Sequence, residues 1–180
     1  TGWYFPITPS TAEYSTAQAH GGMRSMRLGI VGTSNKLSYS SARQRVSLPA
    51  TATSAQLSVW LYPTSTEVQQ AAFSPEIAPV LDSPALTSAA PAAGDAQFIL
   101  IMDDNEKILQ TLLWTLDNSR TWKPYTFDMR AYIGKSVWVH FGVYNDGVGG
   151  TTGMYVDDVS LTATEPLPAP AQPPGNPAAI

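Results

Sequence analysis

The chain contains no cysteine. Disulfides, thiolate nucleophiles and cysteine-based zinc sites are excluded together. Charge is scarce too: Asp, Glu, Lys and Arg make up 13% of the 180 residues, about half the usual share of a quarter. The formal net charge is −4 at pH 7, and Lys and Arg form no cluster. A nucleic-acid partner would call for a basic stripe, and an anionic membrane surface for a run of cations; neither partner is expected. No run approaches the ~20 apolar residues of a membrane helix, so no membrane insertion is expected. Local catalytic motifs are also missing. The two histidines, His20 and His140, belong to no HExxH helix and no serine lies in a GxSxG elbow, so no catalytic residue is assigned and no enzyme is expected. The pair Asp103-Asp104 has the composition of a glycosidase dyad, but its place in a hairpin turn makes it a pair of solvated turn acids.

Apolar residues account for 43% of the chain, enough for a real core. Ser, Thr, Ala and Pro fill the space that charged residues leave, which suits a secreted or surface-displayed bacterial protein. The sequence starts at Thr1, as a processed form or a segment of something longer does.

The dominant pattern is alternation with period two between turn residues. It marks strands over 24–31, 39–48, 55–62, 97–102, 107–114, 121–128, 136–144 and 153–162. Over 39–48, Arg43, Arg45 and Ser47 point outward and Val46 and Leu48 inward. Over 55–62, Leu57, Val59 and Leu61 oppose Trp60 and Tyr62, and Pro63 stops the strand. Over 136–144, Val137, Val139, Phe141 and Val143 oppose Trp138, His140 and Tyr144. Pro124 points to an edge position. No amphipathic helix exceeds two turns. The expected fold is all-β: an antiparallel two-sheet β-sandwich, a jelly roll of about eight or nine strands over residues 1–163.

Two segments break the pattern. Residues 64–95 form a long insert with four prolines, too apolar for a solvated linker; it reads as a flap over the sandwich or as a docking surface. Residues 164–180 form a Pro-rich linker or tail of polyproline II character.

Two constellations carry chemistry. The closing strand holds adjacent acids, Asp157 and Asp158, among Val156, Val159 and Leu161, and a desolvated carboxylate needs a cation, backbone amides or a partner such as Arg24 or Arg27. The aromatics Trp60, Tyr62, Trp138, His140 and Tyr144 lie opposite their aliphatic neighbours. They are a platform for the apolar faces of sugars, or a second core beneath the insert. The Gly-rich loop 145–150 reads as a turn, with Asn145 and Asp146 as further cation or ligand groups.

Several stretches together resemble a known superfamily. TGWYF at the start, AEYSTAQAHGGMRSMRLGI, the element from Phe127 to Val137, and the closing YVDDVSL are similar to bacterial MAM-like and carbohydrate-binding-module-like jelly-roll domains. Such domains are attached to secreted hydrolases and to immune-inhibitor-A-type metallopeptidases. The resemblance covers residues 1–162 apart from the insert. It implies a jelly roll and an accessory role, and a structural calcium held by Asp157 or Asp158 with main-chain carbonyls near Trp3 and Tyr4.

The expectation is therefore a non-catalytic extracellular module, secreted or on a bacterial cell surface. Its partner is a polysaccharide or other glycan at the aromatic platform; alternatively it docks on neighbouring protein subunits or domains through the insert and tail.

Overall fold

A computed structural model of the protein describes residues 2–72 and 94–166. These residues contain nine strands: β1 (Glu13–Ser15), β2 (Ser25–Gly29), β3 (Leu37–Ser47), β4 (Ser54–Ser65), β5 (Ala96–Met102), β6 (Ile108–Thr115), β7 (Lys123–Asp128), β8 (Ser136–Asp146) and β9 (Thr152–Thr164). One 3₁₀ turn covers Arg130–Tyr132. The strands build two antiparallel sheets, a five-stranded one ordered β1-β2-β9-β4-β7 and a four-stranded one ordered β3-β8-β5-β6. This is the expected jelly-roll sandwich. No helix among the described residues is long and apolar enough to cross a membrane.

Eight strands lie where the alternation puts them. The ninth, β1, has only three residues, too few to show a period. β4 corrects another expectation, because it runs through Pro63 to Ser65. The Pro63 carbonyl accepts the Arg120 amide, so its backbone polar groups face the β7 side, where the β4–β7 ladder has already ended at Leu61↔Lys123. The missing N–H therefore costs β9 nothing. Pro124 does lie on an edge strand, β7.

Between the sheets lies the main core. Met26 and Leu28 of β2, Leu57, Val59 and Leu61 of β4, and Met154 and Val156 of β9 meet Val137, Val139, Phe141 and Val143 of β8 and Ile99 and Ile101 of β5. Each large aliphatic or aromatic side chain buried this way contributes roughly 1.5–3 kcal/mol. Trp3 closes one end, its ring 5.4 Å from Phe141.

A second apolar layer covers the outer face of the four-stranded sheet: Tyr39, Phe98, Leu100, Met102 and Tyr144, with Ala71 and the half-buried Trp114 and Trp138. Gly142 makes this layer possible, since a Cβ there would run into the Phe98 ring. The described ends of the insert join the layer. Gln70 bridges Asp95, and the Trp114 indole N–H donates to the Ala71 carbonyl at 2.9 Å. The flap or docking role expected for the insert falls mainly on residues 73–93, and that of the tail on residues beyond 166; both lie outside the described residues.

The β4–β9 ladder changes register once. Ser58 faces Ser160, yet Trp60 faces Asp157, so β9 carries one residue more than β4 between these pairs. Asp158 sits in this bulge with φ 47°, a left-handed conformation that Asp tolerates better than most residues.

Candidate functional site

The five aromatic candidates do not form one platform. Trp60 and Tyr62 lie on β4, which pairs with β7 and β9. Trp138, His140 and Tyr144 lie on β8, which pairs with β3 and β5. Because the inward-facing neighbours of both sets fill the one core between the sheets, the two sets point away from each other on opposite outer faces.

On the four-stranded face, β3 and β8 set Arg43 opposite His140 and Arg45 opposite Trp138. Arg43 does occupy the outer face, but it is only 8% exposed, so its expected outward position is not a solvated one. Its guanidinium lies 5.0 Å from the Trp138 ring centre and 5.1 Å from that of Tyr4, an arrangement that favours a cation over π faces. It also pairs with Glu106 at 3.0 Å. Beside it, Arg45 grips Asp104 with two hydrogen bonds of 2.7 and 2.8 Å. Those bonds hold the Asp104 carboxyl below the ordinary carboxylate range, and a bond from Trp138 adds to the effect. Asp104 is thus an ion-pair partner rather than only a solvated turn acid.

Deeper in this face, polar groups go unsatisfied. His140 is fully buried, its ring parallel to Phe98, and neither ring nitrogen has a hydrogen-bond partner. Burial, and then the charge of Arg43, push its pKa down to about 3. The Ser41 hydroxyl, two residues from Arg43 on the same strand face, is buried without a partner as well. Tyr39 and Tyr144 pack 4.7 Å apart beside them.

The five-stranded face is arranged differently. The His20 ring stacks on Trp60 at 3.8 Å and meets Trp122 edge-on at 5.6 Å. Trp122 in turn tilts against Tyr62, and Tyr62 meets Tyr155 edge-on. His20 covers a face of Trp60, whereas the contacts of Tyr62 are tilted or edge-on and leave it lining a neighbouring cleft.

The paired acids secure the same cluster. One Asp157 oxygen accepts the amides of His20 and Gly21 at 2.8 and 3.2 Å, and the other accepts the Asp158 amide. Asp158 lies 2.7 Å from His20 Nδ1. In a regular strand adjacent side chains point to opposite faces; the bulge lets both acids reach one turn. The arginines considered as partners are engaged elsewhere, Arg24 over the Tyr14 ring and Arg27 with Glu13. A third acid does not join Asp157 and Asp158 among the described residues.

Another group of acids can hold a metal ion. Glu67, Asp95 and Asp146 bring carboxylate oxygens within 4.8 Å of one another. Backbone amides already support them: Gly150 to Glu67, Asp146 to Asp95 and Gly94 to Asp146. Burial raises the Asp95 pKa, and the Asp146 charge adds to that rise. The buried Asn145 donates to Asp95 at 2.9 Å while its own carbonyl oxygen has no partner. The loop at 145–150 drew attention in the sequence, but Glu67 and Asp95 lie far off along the chain.

Arg43, Trp122 and His20 were not singled out for any site from the sequence, and Tyr4 only for a main-chain carbonyl near the expected calcium. Tyr155 alone had a signal, since it shares the alternation of β9 with Asp157.

No family model and no curated relative matches the chain. Solved structures do. The fold is similar to that of the module TmCBM61, solved in complex with β-1,4-galactotriose, with a TM-score of 0.53 and 12% identity over 90% of this chain and 88% of that one. It is also similar to a structure described under the promiscuous specificity of carbohydrate-binding modules of the β-sandwich superfamily, with a TM-score of 0.50 and 12% identity over 89% of this chain and 56% of that one. A family 16 carbohydrate-binding module gives a TM-score of 0.48 and 15% identity over 88% and 89%. The first two of these are carbohydrate-binding modules, and at 12% identity the likeness establishes the jelly-roll fold alone.

Proposed function

We propose that this chain is a non-catalytic glycan-binding module of a secreted or cell-surface protein, and that it binds at the rim of the four-stranded sheet's outer face. One observation carries the reading: Arg43 is held between the rings of Tyr4 and Trp138, with the carboxylates of Glu106 and Asp104 at the same rim. A pyranose offers apolar C–H faces to flat rings and hydroxyl edges to charged hydrogen-bonding groups, and this rim supplies both. Tyr4 is 52% exposed, so the rim is open to solvent. Of the five aromatics expected to form the platform, Trp138 is central to this reading, His140 and Tyr144 lie behind it, and Trp60 and Tyr62 serve the opposite face.

The test is titration with neutral oligosaccharides, β-1,4-galactotriose first, followed by calorimetry and tryptophan fluorescence. Trp138→Ala is expected to weaken binding at least about tenfold, as loss of a stacked ring does, without lowering the melting temperature by more than a few degrees. Failure of the intact protein to bind any of a galactan, xylan and glucan series would overturn the proposal, as would unchanged affinity in Trp138→Ala.

A structural calcium belongs to the same proposal, on Glu67, Asp95 and Asp146 rather than on Asp157 and Asp158. Calcium takes six to eight oxygens at about 2.3–2.6 Å, and the unpartnered Asn145 carbonyl oxygen adds a donor to the three carboxylates. A chelator is expected to lower the melting temperature, and Asp146→Asn to abolish that response. Identical melts with and without chelator would remove the ion from the account.

A further inference from the structure

On the five-stranded side, past the aromatic cluster, a cleft of about 340 Å³ opens between the β2–β3 connection and the far end of β4. That volume lies at the small end of the range for ligand sites. Val31, Gly32, Tyr62, Thr66, Arg120 and Tyr155 are among the residues that line it. Tyr155 is 4% exposed and meets the Tyr62 ring edge-on at 5.9 Å, so the two aromatics set a rigid corner.

Arg120 gives this cleft its cation. Its Nε donates to Asn118 at 3.0 Å, and no carboxylate pairs with it among the described residues. Arg27, Arg43, Arg45 and Arg130 all have acid partners, and Arg24, which has none among the described residues, lies over the Tyr14 ring. The Arg120 backbone is held at φ 51° while its amide donates to the Pro63 carbonyl at 3.1 Å, which fixes the stalk of the side chain. In a chain of net charge −4, a guanidinium without an acid partner, beside Tyr62 and threonine hydroxyls, suits an anionic group such as a carboxylate.

We infer that this cleft is a second saccharide site, separate from the Trp138 rim, which takes a uronic-acid residue. The sugar ring lies against Tyr62 and its carboxylate meets Arg120. The two sites face opposite sides of the sandwich, so one module joins a neutral and an acidic glycan.

The experiment uses the full chain and two probes, a galacturonate tetramer and its neutral galactose counterpart. The acidic tetramer is expected to bind and to lose at least about tenfold in affinity in Arg120→Gln, as removal of a charge-assisted hydrogen bond implies. Rising salt should weaken it, and amide shifts should appear at Val31, Gly32 and Thr66. Binding of the neutral tetramer should be unchanged in Arg120→Gln. No binding of the acidic tetramer, equal affinity in Arg120→Gln, or loss of acidic binding in Trp138→Ala would each overturn the inference. Failure of the neutral probe alone would count against the Trp138 rim and leave this cleft standing. Arg120 is exposed, so its replacement does not threaten the fold.

Discussion

The two outer faces of the sandwich use similar side chains to opposite ends. On the five-stranded face, His20, Trp60, Trp122 and Tyr62 satisfy one another, and Asp157 and Asp158 anchor the His20 turn beneath them. On the four-stranded face, aromatic rings surround polar groups that find no partner, His140 and Ser41, and a cation held between two rings. Aromatic content alone does not tell the two faces apart. Hydrogen-bond satisfaction does, because a buried polar atom left unpaired costs about 1–3 kcal/mol and such groups are rare in native proteins.

The largest expected effect concerns His140. In the folded protein it stays neutral down to about pH 3, whereas unfolded it takes up a proton below its ordinary 6.5. The unfolded state therefore binds more protons across that window, and stability falls as pH drops through it, by about 1.4 kcal/mol per pH unit. His140→Leu should raise stability at pH 5 by on the order of 2 kcal/mol and flatten urea midpoints between pH 6.5 and 4. Parallel pH profiles for the two proteins would show that the imidazole is not sealed in.

A smaller effect tests the opposite face. Asp157→Ala removes the acceptor of the His20 and Gly21 amides and should destabilise by about 1–1.5 kcal/mol. It should also shift the Trp60 emission as the stacked imidazole departs. A loss below 0.5 kcal/mol, read by chemical denaturation, would make the clasp ornamental.

The smallest effect is the most discriminating. Trp60→Ala is expected to change neutral-oligosaccharide affinity by less than about twofold, well under one 1.4 kcal/mol decade. A loss as large as that in Trp138→Ala would mean that the faces had been assigned the wrong way round.

The strands were legible because alternation is a local property; Val59 and Trp60 declare their two sides without reference to the rest of the chain. Sheet membership is not local. Nothing near Trp60 or Trp138 states that β4 pairs with β9 and β8 with β3, so two aromatic rows of similar pattern looked like one platform. Of the metal-capable acids only Asp146 was legible as a cation group; Glu67 and Asp95 stand at the two ends of the β4–β5 connection, and only strand pairing brings them to Asp146 at the end of β8. Asp157 and Asp158 were visible as a need for positive charge. That a turn and a histidine meet the need depends on a bulge that no periodicity announces.

The bulge has a bearing beyond the two acids. Ahead of it, even-numbered residues of β9, Met154 and Val156, point to the core; after it, odd-numbered Val159 and Leu161 do, while Ser160 and Thr162 face water. Asp158 thus works like a frameshift in the side-chain code. Flattening the bulge with Asp158 retained would invert the strand from Val159 onward, submerging hydroxyls and stranding aliphatics, whereas excising Asp158 would let the alternation run on from Val156 through Val159 to Leu161.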